Sequence, residues 1–371
     1  MPQLFAASIH RRAAAWARRV PVVGAPIAGA LIVGGLLAGL LGPAPGTQAL
    51  AAAADQSGAA IIMYHRFGES EYPSTSITLE QFEAHIAELV SGGYTVLPVP
   101  EIVAAIAAGR ALPDRTVGIT VDDAYRSVYT EAWPRLRAAG LPFTVFVGTD
   151  ALDQARPAYM SWDNLREMKA TGGVTVGNHG ATHAHMVHLD PAAARAEIDR
   201  AAQRFVAELG AAPTLFAYPY GEYSLALRAV VAEAGFAAAF GQYSGAMGPT
   251  GDRFALPRYP LSERYGDLDR LRLVANSLPL PVSEVTPLDP LVRGAANPPA
   301  YGFTVAAGLD RLNALNCFAS GNETRVERLG AGRIEVRFAR PFAPGRRRVN
   351  CTMPGPNGRW RWLGRQFYIA P

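Results

Sequence analysis

Short apolar runs alternate along the middle of the chain with stretches whose apolar positions recur every three or four residues. The runs are Ala59-Ala60-Ile61-Ile62-Met63-Tyr64, Val117-Gly118-Ile119-Thr120-Val121, Phe143–Val147, Val174-Thr175-Val176, 215–218 and 236–240. Each is short and bounded by polar or turn residues, as expected of strands buried on both faces. The helical pattern falls on 78–90, 99–108, 129–139, 162–169, 191–209 and 224–234. Thr78 with Gln81 forms a capping box, Leu79, Phe82, Ile86, Leu89 and Val90 make the apolar face, and Gly92-Gly93 ends the helix. Asp190 is placed to cap the helix that follows it. Strand and helix alternate repeatedly, which predicts an α/β domain with a parallel sheet or barrel.

From Leu278 the pattern changes. Pro279, Pro281, Pro287, Pro290, Pro298 and Pro299 read as a Pro-rich linker over 281–299. Beyond it, Arg333-Ile334-Glu335-Val336-Arg337-Phe338 alternates strictly, and 359–362 and 366–369 read as further strands. Residues 300–371 are therefore expected to form a small β domain. At the other end, Arg11, Arg12, Arg18 and Arg19 precede an uncharged run over 20–41 and then small residues at 47–54. A positive segment, an apolar core and a small-residue zone describe a signal peptide. A membrane anchor is the alternative, since 20–41 is long enough to span, but Pro21, Pro26 and the glycines weaken it. Either form exports the rest of the chain to the periplasm, the cell envelope or the medium.

Composition refines this outline in two ways. The pI near 9.1 and formal net charge of +4 suggest a basic protein, yet the four N-terminal arginines account for the whole surplus. Residues 300–371 hold twelve arginines against Asp310, Glu323, Glu327 and Glu335, so 55–299 carries −8. Binding of nucleic acid by the whole chain loses its support. The basic C-terminal segment, with Trp360, Trp362 and Tyr368, could still contact an anionic glycan; otherwise those aromatics are sheet core and the arginines a solvated face. The two cysteines, Cys317 and Cys351, both lie here, and export makes a disulfide between them the simple reading.

Chemistry concentrates at predicted strand ends. Asp122 and Asp123 close one strand, and His179-Gly180-Ala181-Thr182-His183 follows another. Two imidazoles and one carboxylate can hold a divalent metal with positions left open, and the second carboxylate is free to act as a base. Alone, each piece has an ordinary explanation: a helix cap, a pair of surface histidines. His185 and His188 lie near enough to compete as ligands. His65 ends the first strand, on the same rim. Tyr218-Pro219-Tyr220-Gly221 ends another and can aim a backbone N–H into a site. Trp162 is either an aromatic wall for a sugar ring or a packing residue at a helix start.

The ordered set Thr120-Val121-Asp122-Asp123, His179-Gly180-Ala181-Thr182-His183 and Tyr218-Pro219-Tyr220-Gly221 resembles the NodB-homology polysaccharide deacetylases, carbohydrate esterase family 4. The resemblance covers roughly residues 58–270 and implies a distorted (β/α)7-type barrel over 55–280. It implies Asp122 as base, Asp123, His179 and His183 as ligands of a divalent metal, in first place Zn2+, and Tyr220 with Pro219 at the oxyanion. The family's motif has Arg where this chain has Ala217, an Arg that orients the base. The family's late histidine is absent too, since no histidine follows His188. However, Ile62-Met63-Tyr64-His65-Arg66 resembles the opening of the branch that deacetylates poly-β-1,6-N-acetylglucosamine, which implies His65 as the acid. The activity implied is removal of acetyl groups from N-acetylglucosamine-containing polysaccharide by metal-activated water. An O-acetyl esterase of the xylan type and a catalytically impaired glycan-binding protein are the alternatives.

Overall fold

The computed structural model of the protein describes residues 58–371, so the expected N-terminal signal or anchor segment lies outside the described residues. The predicted caps form. Thr78 accepts from the Gln81 N–H while the Gln81 side chain accepts from the Thr78 N–H, opening the helix Leu79–Ser91. Asp190 accepts from the Ala193 N–H at the start of Pro191–Leu209, which stops at Gly210 with φ 80°. Among the described residues, no helix is long and apolar enough to cross a membrane.

A parallel sheet runs in the order Tyr259–Pro260, Ala59–Tyr64, Thr116–Asp122, Phe143–Val147, Val174–Asn178, Leu215–Ala217 and Ala238–Phe240, with Thr95–Val96 as an eighth strand beside Thr116–Asp122. Helices lie between successive strands from Ala59–Tyr64 to Ala238–Phe240, as parallel connections require. Ile61, Phe146, Leu215, Ala217, Ala238 and Phe240 pack together along one side of the sheet. A second cluster, including Ile62, Ile119, Val121, Val145, Phe82, Leu165 and Phe205, packs the other side against helices. Strands with apolar residues on both faces read as continuous runs, which is how they stand in the sequence.

The two ends of the strand order are joined by one segment. Leu256 N–H donates to Ala239 O and Leu256 O accepts from Gly241 N–H, beside the last strand. A few residues on, Tyr259 and Pro260 pair with Ile62 and Met63 of the first strand. Residues 256–260 thus form a seam between the two ends of the sheet, and Arg258 lies within it.

The C-terminal region has two sheets. One has the order Leu278–Pro279, Trp360–Ile369, Gly345–Pro354, Asn316–Ala319, with Leu291–Val292 also on Trp360–Ile369. The other has the order Val282–Thr286, Tyr301–Val305, Arg333–Phe338, Thr324–Leu329. Tyr301, Phe303, Ile334, Val336, Met353 and Phe367 form their shared core. Cys317 and Cys351 face each other in register and are joined as a disulfide. The expected linker over 281–299 is corrected here. Val282–Thr286 pairs with Tyr301–Val305, and Leu291–Val292 pairs with Trp360–Ile369, so this segment belongs to the sheets. Both strands lie at sheet edges, where neighbouring prolines remove no ladder hydrogen bond.

Candidate active site

The predicted residues converge at the C-terminal ends of the strands, where parallel α/β folds bind ligands. Asp122 is the last residue of its strand and Asp123 the next; His179 follows Asn178; His65 follows Tyr64. Nε2 of His183 lies 3.1 Å and Nε2 of His179 3.4 Å from Oδ1 of Asp123. One ligand atom from each of Asp123, His179 and His183 falls within 4.8 Å of the others. The Nδ1–H of His179 donates to Ala217 O at 2.7 Å. That bond fixes the tautomer and turns the Nε2 lone pair toward Asp123, as second-shell partners do for metal-ligating histidines. Oδ1 of Asp123 and Nε2 of His179 are buried without a hydrogen-bond partner, an arrangement that costs energy unless something else satisfies them. A divalent metal fits this donor set, with one carboxylate and two imidazoles and room for further ligands. Asp123, His183 and Tyr220 all hold left-handed φ, of 74°, 59° and 59°. Such strain in non-glycine residues gathers at functional sites.

Asp122 is fully buried and is gripped by a residue the motifs do not contain. Arg258 Nη1 donates to Oδ1 at 2.6 Å and Nη2 to Oδ2 at 2.8 Å, a two-pronged pair with both side chains at 0% exposure. The remaining Arg258 donors reach Gly241 O and Thr120 Oγ1. Burial opposes ionisation of Asp122, but Arg258, His179 and His65 outweigh it, and the carboxyl is held below its usual range. Asp123 is held well below its usual range: burial is again the opposing cause, with the His179 and His183 imidazoles and His65 on the other side. The Arg258 guanidinium lies 5.2 Å from the Phe146 ring and 5.9 Å from the Phe240 ring. Both rings pack in the same cluster as Ala217. The cation expected at position 217 therefore reaches Asp122 from the seam instead.

His65 Nε2 lies 3.9 Å from Asp122 Oδ2, and Gln242 Nε2 lies 3.5 Å from His65 and 3.2 Å from Asp122. Burial lowers the His65 pKa, partly countered by Asp123 and Asp122. The turn Pro219–Gly221 sits beside the triad, with the Tyr220 ring 4.5 Å from that of His183. A small cavity of about 50 Å³ opens next to Asp123 and His183, lined also by Tyr125, Asp150, Arg156 and Tyr159.

Two expectations change. Trp162 is not a wall of the site: it is buried edge-on to Phe205, with its indole N–H on Asp153. Tyr125 and Tyr159, with ring centroids 4.9 Å apart, offer aromatic surface beside the triad instead. His185 and His188 do not compete as ligands, since His185 Nδ1 pairs with Glu222 at 2.7 Å and His188 Nε2 with the Tyr368 hydroxyl at 2.7 Å. Arg258 and Gln242 were missed, because neither belongs to a local motif.

Residues 109–239 match the family model described as polysaccharide deacetylase. This region is a polysaccharide deacetylase domain. The deacetylase domain is similar to YxkH of Bacillus subtilis (strain 168), at 26% identity over 164 residues, which is 44% of this chain and 57% of that one. It is also similar to the poly-beta-1,6-N-acetyl-D-glucosamine N-deacetylase of Escherichia coli (strain K12), at 30% identity over 118 residues, which is 28% of this chain and 17% of the relative. The matched stretches thus span less than two thirds of these curated relatives. Among solved structures, IcaB from Ammonifex degensii shares the fold at a TM-score of 0.53 and 23% identity, over 59% of this chain and 97% of that one.

Proposed function

We propose that the protein is a divalent-metal-dependent N-deacetylase of N-acetylglucosamine-containing polysaccharide. The observation that carries this reading is the convergence of three metal-type donors, two of them buried without a hydrogen-bond partner, with a buried, oriented carboxylate and an imidazole on one rim. Asp123, His179 and His183 would hold the metal, which would supply Lewis acidity and a water activated at neutral pH. Zn2+ suits the donor set best. Asp122 accepts the proton of the attacking water, and Arg258 keeps both its oxygens aimed and ionised. The Tyr220 N–H donates to the developing oxyanion. His65 delivers a proton to the departing nitrogen. The products are acetate and a glucosamine unit.

The position of His65 at the end of the first strand supports the poly-β-1,6-N-acetylglucosamine type of substrate, in line with the name of the Escherichia coli relative. The Cys317–Cys351 disulfide supports an exported location. The impaired-protein alternative rested on Ala217 and on the missing late histidine. It loses ground because Arg258 and His65 offer the same two groups from other elements. The test is acetate release from N-acetylglucosamine oligomers and from acetylated xylan, after chelation and after metal add-back. Metal-restored release from the oligomers is expected. Release from xylan alone makes the protein an esterase, and no release from either substrate with metal restored sinks both enzyme readings.

A further inference from the structure

The C-terminal hairpin Gly345–Pro354 and Trp360–Ile369 has two unlike faces. Val349, Cys351, Met353, Phe367 and Ile369 point into the C-terminal core. The alternate positions pair as Arg346 with Tyr368, Arg348 with Gln366, Asn350 with Gly364 and Thr352 with Trp362. By the two-residue period of a strand these share the opposite face. That face lies on the deacetylase domain. Trp362 packs edge-on to Tyr259 at 5.3 Å. At Gly364 the approach is so close that a Cβ would lie 1.7 Å from Ser244 O.

The polar members of this face end on the rim of the site. Gln366 Nε2 donates to Gly221 O at 2.8 Å, and Arg346 Nη1 to Tyr220 O at 3.1 Å. Both acceptors belong to the turn whose Tyr220 N–H is the oxyanion donor and whose Tyr220 holds φ 59°. Arg346 also lies 3.6 Å from buried Glu222, which holds the His185 ring stacked on Tyr220 at 3.9 Å. Arg348 Nε donates to Gln242 O at 2.8 Å, and the Gln242 side chain is the one that contacts both Asp122 and His65. Arg348 is costly to place there, since burial first and Arg346 second pull its pKa down. A surface serving only to dock would not need a half-buried cation beside another cation. Here the guanidinium holds a carbonyl of the site.

We propose that the C-terminal sheet is a positioning element of the active site. Gln366 and Arg346 fix the turn that presents the oxyanion donor, and Arg348 fixes the backbone of Gln242 under the base and the acid. The proposal rests on the N-deacetylase reading for its catalytic consequence. Strained backbone keeps its geometry only where its surroundings over-determine it, and small misplacements of oriented groups reduce the chemical step more than binding.

The test compares Gln366→Met, Arg348→Met and Arg348→Lys with Arg347→Met in the full chain loaded with Zn2+. Arg347 donates only to carbonyls of its own region, Ala343, Pro344 and Arg346, so it controls for charge loss. Two readouts are taken: kinetics of acetate release, and amide exchange in peptides covering 219–222 and 241–243. Gln366→Met and Arg348→Met are expected to lower kcat by about tenfold or more while KM and metal content hold. Exchange should rise in those peptides alone, Arg348→Lys should recover part of both effects, and Arg347→Met should match the unaltered chain. Unchanged kcat and exchange in the first two variants overturn the proposal, as does a loss of kcat that only follows loss of Tm or metal. If the unaltered protein releases no acetate, the N-deacetylase reading fails, while the exchange data still decide whether the sheet holds the two loops.

Discussion

Replacing Arg258 is the sharpest probe of how the site is built. Arg258→Met leaves the Asp122 carboxylate at 0% exposure with Gln242, 3.2 Å away, as its nearest remaining donor. Removing one partner of a buried pair costs about 3–5 kcal/mol, because the other charge stays buried and uncompensated. The protein can meet that cost by losing stability or by taking a proton onto Asp122. A protonated Asp122 cannot act as base, so the cost reappears in the rate. At 1.36 kcal/mol per tenfold, about 3–5 kcal/mol corresponds to a fall in kcat of roughly 10²–10⁴. Arg258 has no exposed surface and cannot touch a polymer, so KM should barely move. Arg258→Lys keeps the charge but not the two-pronged geometry and should fall between. The assay is acetate release with the metal content of each variant measured alongside. Combining Arg258→Met with Asp122→Asn should cost far less than the two losses multiplied, because both act through one pair. Metal-loaded Arg258→Met with kcat within about threefold of the unaltered protein would refute the reasoning.

Other predictions follow the same logic. Because Ala217 packs with Phe146 and Phe240 beneath the Arg258 guanidinium, Ala217→Arg added to Arg258→Ala should restore part of the lost kcat; no recovery in a folded double variant would show that the two positions cannot exchange the role. His183→Ala should lose most of its bound Zn2+ under dialysis, with roughly 10-fold or greater weakening; undiminished metal content would remove His183 from the ligand set. His85 is fully buried and mainly burial lowers its pKa, its Nε2–H donating to Gly266 O and its Nδ1 accepting from Tyr64. The neutral form is thus favoured on folding. Stability is complete above the unfolded value near 6.5 and falls below it, by up to about 1.4 kcal/mol per pH unit, because only the unfolded chain takes the proton. Tm measured at about pH 5.5 and about pH 7.5 should differ less in His85→Gln than in the unaltered chain; an equal difference would clear His85 of that role. Gly364→Ala should destabilise the protein by about 1–3 kcal/mol through the clash with Ser244, read by denaturant unfolding, and unchanged stability would mean the hairpin can shift away.

The candidate metal triad, as a cluster, was legible because its residues are local in sequence. Asp122 and Asp123 adjoin, His179 and His183 are four apart, and the strand pattern put both pairs on one rim. His65 was legible for the same reason, at the end of an unbroken apolar run. Arg258 was not, since a lone arginine in a Pro-flanked segment has no period or motif, and its partner lies 136 residues away. Only closure of the sheet brings the two together. Gln242 was hidden likewise, two residues past a short strand. Over 281–299 composition misled: prolines that flank edge strands look like the prolines of a linker, and only strand pairing tells them apart. Trp162 could be weighed but not decided from sequence, because packing against Phe205 depends on how two helices meet.

The seam at 256–260 separates two properties that are easily taken as one. The three metal-type donors all come from residues 123–183, just beyond the ends of Thr116–Asp122 and Val174–Asn178, whereas Asp122 is oriented by Arg258, which arrives only when the chain folds back onto its first strand. A molecule frayed at the seam would keep its ligands together and lose the aim of Asp122. Metal occupancy in a preparation of this protein would then overstate the fraction of molecules able to turn over, and titration of active centres would be the sounder measure.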